Sequence, residues 1–232
     1  MTVPLHLRRS WQSFVFKHSY FAEDLCRDAH AFAQRGWLLG TSGNFSIRSP
    51  DSKGGHESTY WVSASGLDKG RLSVEDFIHL GAGLRYAHQN ETRKPSDESL
   101  VHEAIYHHVK TAQVVYHVHP PYGTWMSRQQ AGQVRVLALP AIEMIKGLGF
   151  NTHDVEVGLV VLPNTQSMQD LCTVLAPLWS TLRIPAFFIE GHGLYAWGAT
   201  PQDARRHVEV LEFLFQQQVW DTLAKGVPPR AD

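Results

Sequence analysis

The chain has 232 residues, 43% hydrophobic and 11% aromatic, enough for one large core or two small ones. A net charge near −1 leaves no basic surplus, which argues against nucleic acid as a partner. Two isolated cysteines, Cys26 and Cys172, exclude a disulfide framework and a cysteine-based zinc knuckle, and they suit a reducing cytoplasm. The first nine residues lack a long apolar run, so neither a signal peptide nor a membrane span is expected. With no repeat, linker or low-complexity tract, residues 1–232 read as a single domain.

In chain order, Ser19 to Arg35 has Phe21, Leu25, Ala29 and Phe32 on one stripe and Gly36 as a stop, which predicts an amphipathic helix. Thr41-Ser42-Gly43-Asn44 reads as a small polar turn inside a strand pair, and residues 49–55 as a surface excursion. Tyr60 to Val62 is a strand running into Ser63-Ala64-Ser65-Gly66; Ser73 with Asp76 predicts a short capped turn. Glycines with hydroxyls and free N–H groups, as at 41–44 and 65–66, cradle anions, but they also make ordinary turns.

Ser96 is a candidate N-cap for a helix through Leu100, Ala104, Ile105 and His108, with His102, His107 and His108 read as helix surface. The stretch 111–119 is a strand ending in Tyr116-His117-Val118-His119, stopped by Pro120-Pro121 before a helix at 122–130. Further on come a strand at 155–162, a helix at 166–179, strands at 186–189 and 194–197, and a long helix capped by Thr200 and Asp203. Ala204, Val208, Leu211, Phe215 and Val219 form the buried stripe of that last helix.

Histidines at i and i+2 on a strand point to one face, so His117 and His119 can grip one ion, while Val114, Tyr116 and Val118 face apolar packing. His192, in Gly191-His192-Gly193, supplies a third nitrogen, and three ligands with one open position describe catalytic zinc. Strand 111–119 returning against its preceding helix brings Glu98 near such an ion, as a ligand or an acid/base; the alternative is a first-turn carboxylate serving only the helix dipole. Glu143 is the lone carboxylate of an apolar stretch, where poor solvation would raise its pKa and make it a proton shuttle; a salt-bridged surface turn is the competing reading.

The order Thr-Ser-Gly-Asn, Ser-x-Ser-Gly, Lys-Pro-Ser-x-Glu, His-x-His, Gly-His-Gly-x-x-x-Trp-Gly resembles the class II aldolase/adducin family, from about Cys26 to Leu214. The resemblance implies an α/β fold of three α/β/α layers around a central, mainly antiparallel sheet flanked by helices. It also implies one zinc per subunit, a small sugar-phosphate substrate, and a homotetramer with sites near subunit interfaces. Residues 143–147, 65–69 and Trp197-Gly198 are similar to the dehydratase branch acting on 5-methylthioribulose 1-phosphate. By that resemblance the metal ligands are His117, His119 and His192; the phosphate loops are Ser42, Gly43, Asn44, Ser65, Gly66 and Ser96; and Glu143 is the acid/base. Glu98 matches a carboxylate that is ligand or acid/base in the aldolase branch. Glu190 stands where some relatives carry a basic residue, so the charge beside the third ligand does not transfer. An aldolase or epimerase on another sugar phosphate, a non-catalytic adducin-like module and a structural metal remain the alternatives.

Overall fold

The structure is a computed structural model that describes residues 21–49, 59–87, 89, 91–129 and 132–225. The first helix, α1, is described over residues 21–34, so its expected start at Ser19 lies outside the described residues, as does most of the excursion at 49–55. Among the described residues, nine strands form one sheet: β1 (Asn44–Arg48), β2 (Tyr60–Ser63), β3 (Phe77–Gly81), β4 (Arg85–Tyr86), β5 (Val114–Val118), β6 (Arg135–Ala138), β7 (Gly158–Leu162), β8 (Ala186–Ile189) and β9 (Gly193–Gly198). Their spatial order is β4-β3-β2-β1-β5-β9-β8-β7-β6, antiparallel throughout except for the parallel pair β7–β8. Helices α2 (Ser99–His108), α3 (Pro121–Ser127), α4 (Met168–Leu175) and α5 (Pro201–Lys225) complete the described set.

Period-two alternation divides the side chains of the sheet between two cores. Phe45, Ile47, Val114, Tyr116, Val118, Leu194 and Ala196 pack with Leu25 and Phe32 of α1 and Leu211 and Phe215 of α5. Val62, Ile78, Val115, Phe187, Tyr195 and Trp197 face the other way, onto Val101 and Ile105 of α2 and Leu171 and Leu175 of α4. Three layers result, with the middle strands buried on both faces, as the resemblance implies. Each completely buried leucine or phenylalanine contributes about 1.5–3 kcal/mol, so the central strands hold most of the stability.

Several local expectations change in three dimensions. The 41–44 turn does not join a strand pair; a 3-10 turn, Leu39–Thr41, leads from α1 into β1, whose partners are β2 and β5. Strands β3 and β4 were not anticipated. Helix α2 starts at Ser99 rather than directly after Ser96, whose hydroxyl instead accepts the Glu98 N–H at 3.3 Å. His102 is not on the helix surface: it is fully buried, with Nδ1 2.6 Å from Ser46 Oγ, which also bonds Tyr106 at 2.7 Å. The polar face of β1 lies under α2 and not in water, so Ser46 and Arg48 need partners there. Arg48 finds them in the carbonyls of Ala112, Tyr106 and Val109. The capped turn at Ser73 is present, with the Asp76 carboxylate accepting from both the N–H and the hydroxyl of Ser73. Thr200 and Asp203 cap α5 as expected, and its five stripe residues are buried.

Candidate metal and active site

His117 is the last inward-facing residue of β5 on the α2 side, and it is fully buried. Its Nδ1 lies 3.1 Å from the Leu194 carbonyl, which accepts that N–H and leaves the Nε2 lone pair free for an ion. Tyr195 stacks on the ring, with centroids 4.1 Å apart. His119 follows the end of β5, its N–H bonded to the Trp37 carbonyl at 2.9 Å. His192 sits in the turn between β8 and β9, and β9 pairs with β5 so that Leu194 is opposite Val118.

The three expected ligands therefore meet. One nitrogen from each lies within 4.8 Å of the others, and the Nε2 atoms of His117 and His119 are 3.0 Å apart. Burial, with His117 and His192 beside it, pushes His119 down to about 3, so its ring is neutral at pH 7. A neutral imidazole is the form that donates a lone pair to a metal. Gly193 makes the approach possible: a Cβ there would stand 2.6 Å from His119 Cδ2 and 2.7 Å from His117 Cε1.

Glu98 closes one side. Its Oε1 is 3.0 Å from His192 Nε2 and 3.7 Å from His117 Nε2, while Oε2 accepts from Asn44 Nδ2 at 2.6 Å. Burial works against ionisation, but the His117 and His192 imidazoles outweigh it and hold the carboxyl below the usual carboxylate range. Three imidazole nitrogens converging beside one carboxylate form a donor set suited to a divalent transition metal, with zinc among the candidates.

The anion-loop residues gather around the same centre. Asn44 is opposite His117 in the β1–β5 register. Gly43 has φ +77°, and a Cβ there would collide with Leu38 Cδ2 at 2.4 Å and the His117 carbonyl at 2.7 Å. Ser42, Gly43, Asn44, Ser65, Gly66 and Ser96 line a recess of about 80 Å3 that also reaches Glu98 and His119. It adjoins an open cleft of about 670 Å3 that Ser65, Ser96, Glu98, His119 and His192 also line. Asn164, Thr165, Gln166 and Met168 form another part of the cleft lining, and Lys69 lies in the recess. Sequence reasoning passed over these five. The first four lie at the β7–α4 junction, where the β-branched strand ends and polar residues begin, and that junction was the available signal.

Glu143 does not join them. It opens a 3-10 segment, Glu143–Leu148, and its side chain is 69% exposed. The Lys146 ammonium at 2.6 Å, with His153 at 3.2 Å, lowers its pKa. The expected poor solvation and raised pKa are thus corrected within a single chain: only its neighbours Ile145 and Leu148 turn inward. Glu190 accepts from the Gly132 N–H at 2.8 Å and lies 3.5 Å from Arg135, so its carboxylate is engaged on the β6 side. Burial raises the Cys26 thiol to about 12 and Cys172 to about 11, which leaves neither a ready nucleophile.

Comparison with known proteins identifies the family. The chain matches the Class II Aldolase and Adducin N-terminal domain over residues 23–219. A protein of Methylococcus capsulatus named methylthioribulose-1-phosphate dehydratase is 39% identical over 183 residues, covering 78% of this chain and 84% of its own. One of the same name from Microcystis aeruginosa is 33% identical over 196 residues, 82% of this chain and 91% of its own. Among solved structures, L-fuculose-1-phosphate aldolase from Thermus thermophilus superposes with a TM-score of 0.69 at 22% identity, over 90% of this chain and 99% of its own. A sugar-phosphate aldolase from Thermotoga maritima does so with a TM-score of 0.62 at 18% identity, over 91% and 98%. The chain belongs to the class II aldolase and adducin family.

Proposed function

We propose that this chain is a single-domain, zinc-dependent hydro-lyase that removes water from 5-methylthioribulose 1-phosphate to give 2,3-diketo-5-methylthiopentyl 1-phosphate, a step of methionine salvage. The observation that carries an enzymatic reading is the convergence of three imidazole nitrogens beside an ionised carboxylate, at the edge of an open polar cleft. The substrate is supported by relatives of that name at 33–39% identity over most of the chain.

His117, His119 and His192 would hold the metal. A metal held there would supply Lewis acidity, polarising the C2 carbonyl of the substrate and so acidifying its C3 proton. Glu98 lies beside the ligands, 3.0 Å from His192 Nε2, and a carboxylate suits a base more than an acid at neutral pH. It is placed to accept the C3 proton, and Asn44 holds its second oxygen so that the first keeps a fixed direction. Departure of the C4 hydroxyl needs a proton donor, and the enol that remains ketonises to the 2,3-diketone. Ser42, Gly43, Asn44, Ser65, Gly66 and Ser96 take the phosphoryl end through N–H and hydroxyl groups.

Glu143 enters this chemistry as acid/base from a second copy of the chain. Its exposure, beside Met144 that is itself 42% exposed, is what supports that reach; the assembly we propose is a homotetramer acting in the cytoplasm. Elemental analysis combined with turnover of 5-methylthioribulose 1-phosphate and of fuculose 1-phosphate tests the reading. We expect one zinc per chain and diketone from the former. Retro-aldol products from the latter, with no diketone, would replace the dehydratase by an aldolase.

A further inference from the structure

Lys69 is the residue that the proposed chemistry leaves unused and the fold treats most unusually. Its side chain is 1% exposed, although lysine is almost never fully buried without a charged partner. The ammonium has only neutral acceptors: the Leu67 carbonyl at 2.9 Å and the Thr41 carbonyl at 3.3 Å. No carboxylate of the described residues pairs with it. An ammonium has three N–H donors, so one remains uncommitted. Burial lowers its pKa, with Glu98, Asp68 and Asp76 only partly offsetting that effect.

Its two acceptors are informative. Thr41 opens one of the two anion loops and Leu67 follows directly on the other, so a single ammonium ties both sides of the 80 Å3 recess together and lines it. Thr41 has φ +66°, a left-handed backbone that a β-branched residue rarely adopts. Such strain, costing on the order of 1–3 kcal/mol, is concentrated at binding sites. Ser42 Oγ, one residue on, is buried in the same recess without a partner. A cation with a spare donor, an unpartnered hydroxyl and glycine-opened backbone all lack the same thing, an anion.

We propose that Lys69 is the buried cation of the anion recess and that it binds the phosphoryl group of the substrate directly, completing a cradle otherwise built of neutral donors. The identity of that group as a sugar phosphate rests on the function proposed above; the anion site itself does not. A buried cation explains how a chain of near-neutral charge holds a phosphate without a basic surface. It also favours the phosphorylated sugar over its unphosphorylated form, because only the former relieves an isolated buried charge.

The test uses the metal-loaded protein and Lys69→Met. Inorganic phosphate affinity is read by calorimetry, and kcat/KM is compared for 5-methylthioribulose 1-phosphate and for 5-methylthioribulose. A charge-assisted hydrogen bond is worth a factor of roughly 10–100. Phosphate affinity, and the preference for the phosphorylated sugar, should both fall by about that factor. Unchanged phosphate affinity in the folded variant overturns the proposal. So do equal losses on both sugars, the mark of a role confined to holding the loops. Should Lys69→Met not fold, lysine-selective 15N NMR of the wild-type chain decides: phosphate must shift the protected ammonium signal, and no shift overturns the proposal. A wild-type chain that binds phosphate through Lys69 but makes no diketone would refute the dehydratase reading and leave this one standing.

Discussion

Gly193 and Glu98 carry the most exacting demands of single residues. A methyl group at 193 would overlap both His117 and His119, so Gly193→Ala should drive the two rings apart and lower metal content in a chain that still folds. Metal analysis with circular dichroism checks this; an alanine variant with full metal content would show that the rings have room to spare. Glu98→Gln keeps the shape but removes the base. Turnover should fall about 10²–10⁴-fold, with a smaller loss of metal than His117→Ala produces. His117 and His119 were legible in sequence because an i, i+2 pair shares one face of an extended segment, and His192 because it falls in the same order of motifs. Glu143, His102 and Lys69 were not, because burial belongs to the assembled fold. An apolar neighbourhood in sequence left Glu143 exposed, while His102, which read as helix surface, is enclosed beside β1, and Lys69, which had no site role, is enclosed by the anion loops.

Between elements, the α3–α5 contact contains a buried carboxylate. Glu212 of α5 accepts the N–H groups of Tyr122 and Gly123 at 3.0 Å each, capping the start of α3. Burial raises its pKa to about 7, only partly countered by those two bonds. The unfolded carboxyl ionises near its ordinary value while the folded one still holds its proton, so between about pH 4.5 and 7 the native state binds more protons. Stability contributed by this group is therefore complete at low pH and declines as pH rises through that window. Relative to Glu212→Gln, the wild-type chain should lose on the order of 1–3 kcal/mol from pH 4.5 to pH 7. Urea unfolding at several pH values measures it, and a flat difference would contradict the raised pKa. The apolar runs of β7 and β8, and the capped, periodic stripe of α5, could be read from sequence. Strand β3, which ends at Gly81, and the two-residue β4 could not, since their strand character comes from pairing, β3 with β2 and β4 with β3.

For the whole molecule, the antiparallel sheet matters because it sets β1, β5 and β9 side by side, bringing together three sequence segments that each hold part of the site. The order of motifs along the chain made that assembly legible; the exposure of Glu143 was not, because it follows from how residues 143–148 fold. Mixed oligomers test that dependence. If Glu143 serves a neighbouring copy, unfolding and reassembling Glu98→Gln together with Glu143→Gln should restore part of the activity that neither variant shows alone. No recovery in assembled mixtures would confine Glu143 to its own chain and, given its exposure there, remove it from the chemistry.

Titration of the metal-stripped protein with zinc, while diketone formation from 5-methylthioribulose 1-phosphate is followed, tests the central claim most directly. Activity should rise from near zero, in proportion to added metal, and level off at about one ion per chain as expected of three histidines and one open position. Full turnover by the stripped chain, or a plateau unaffected by replacing His117, would contradict the account.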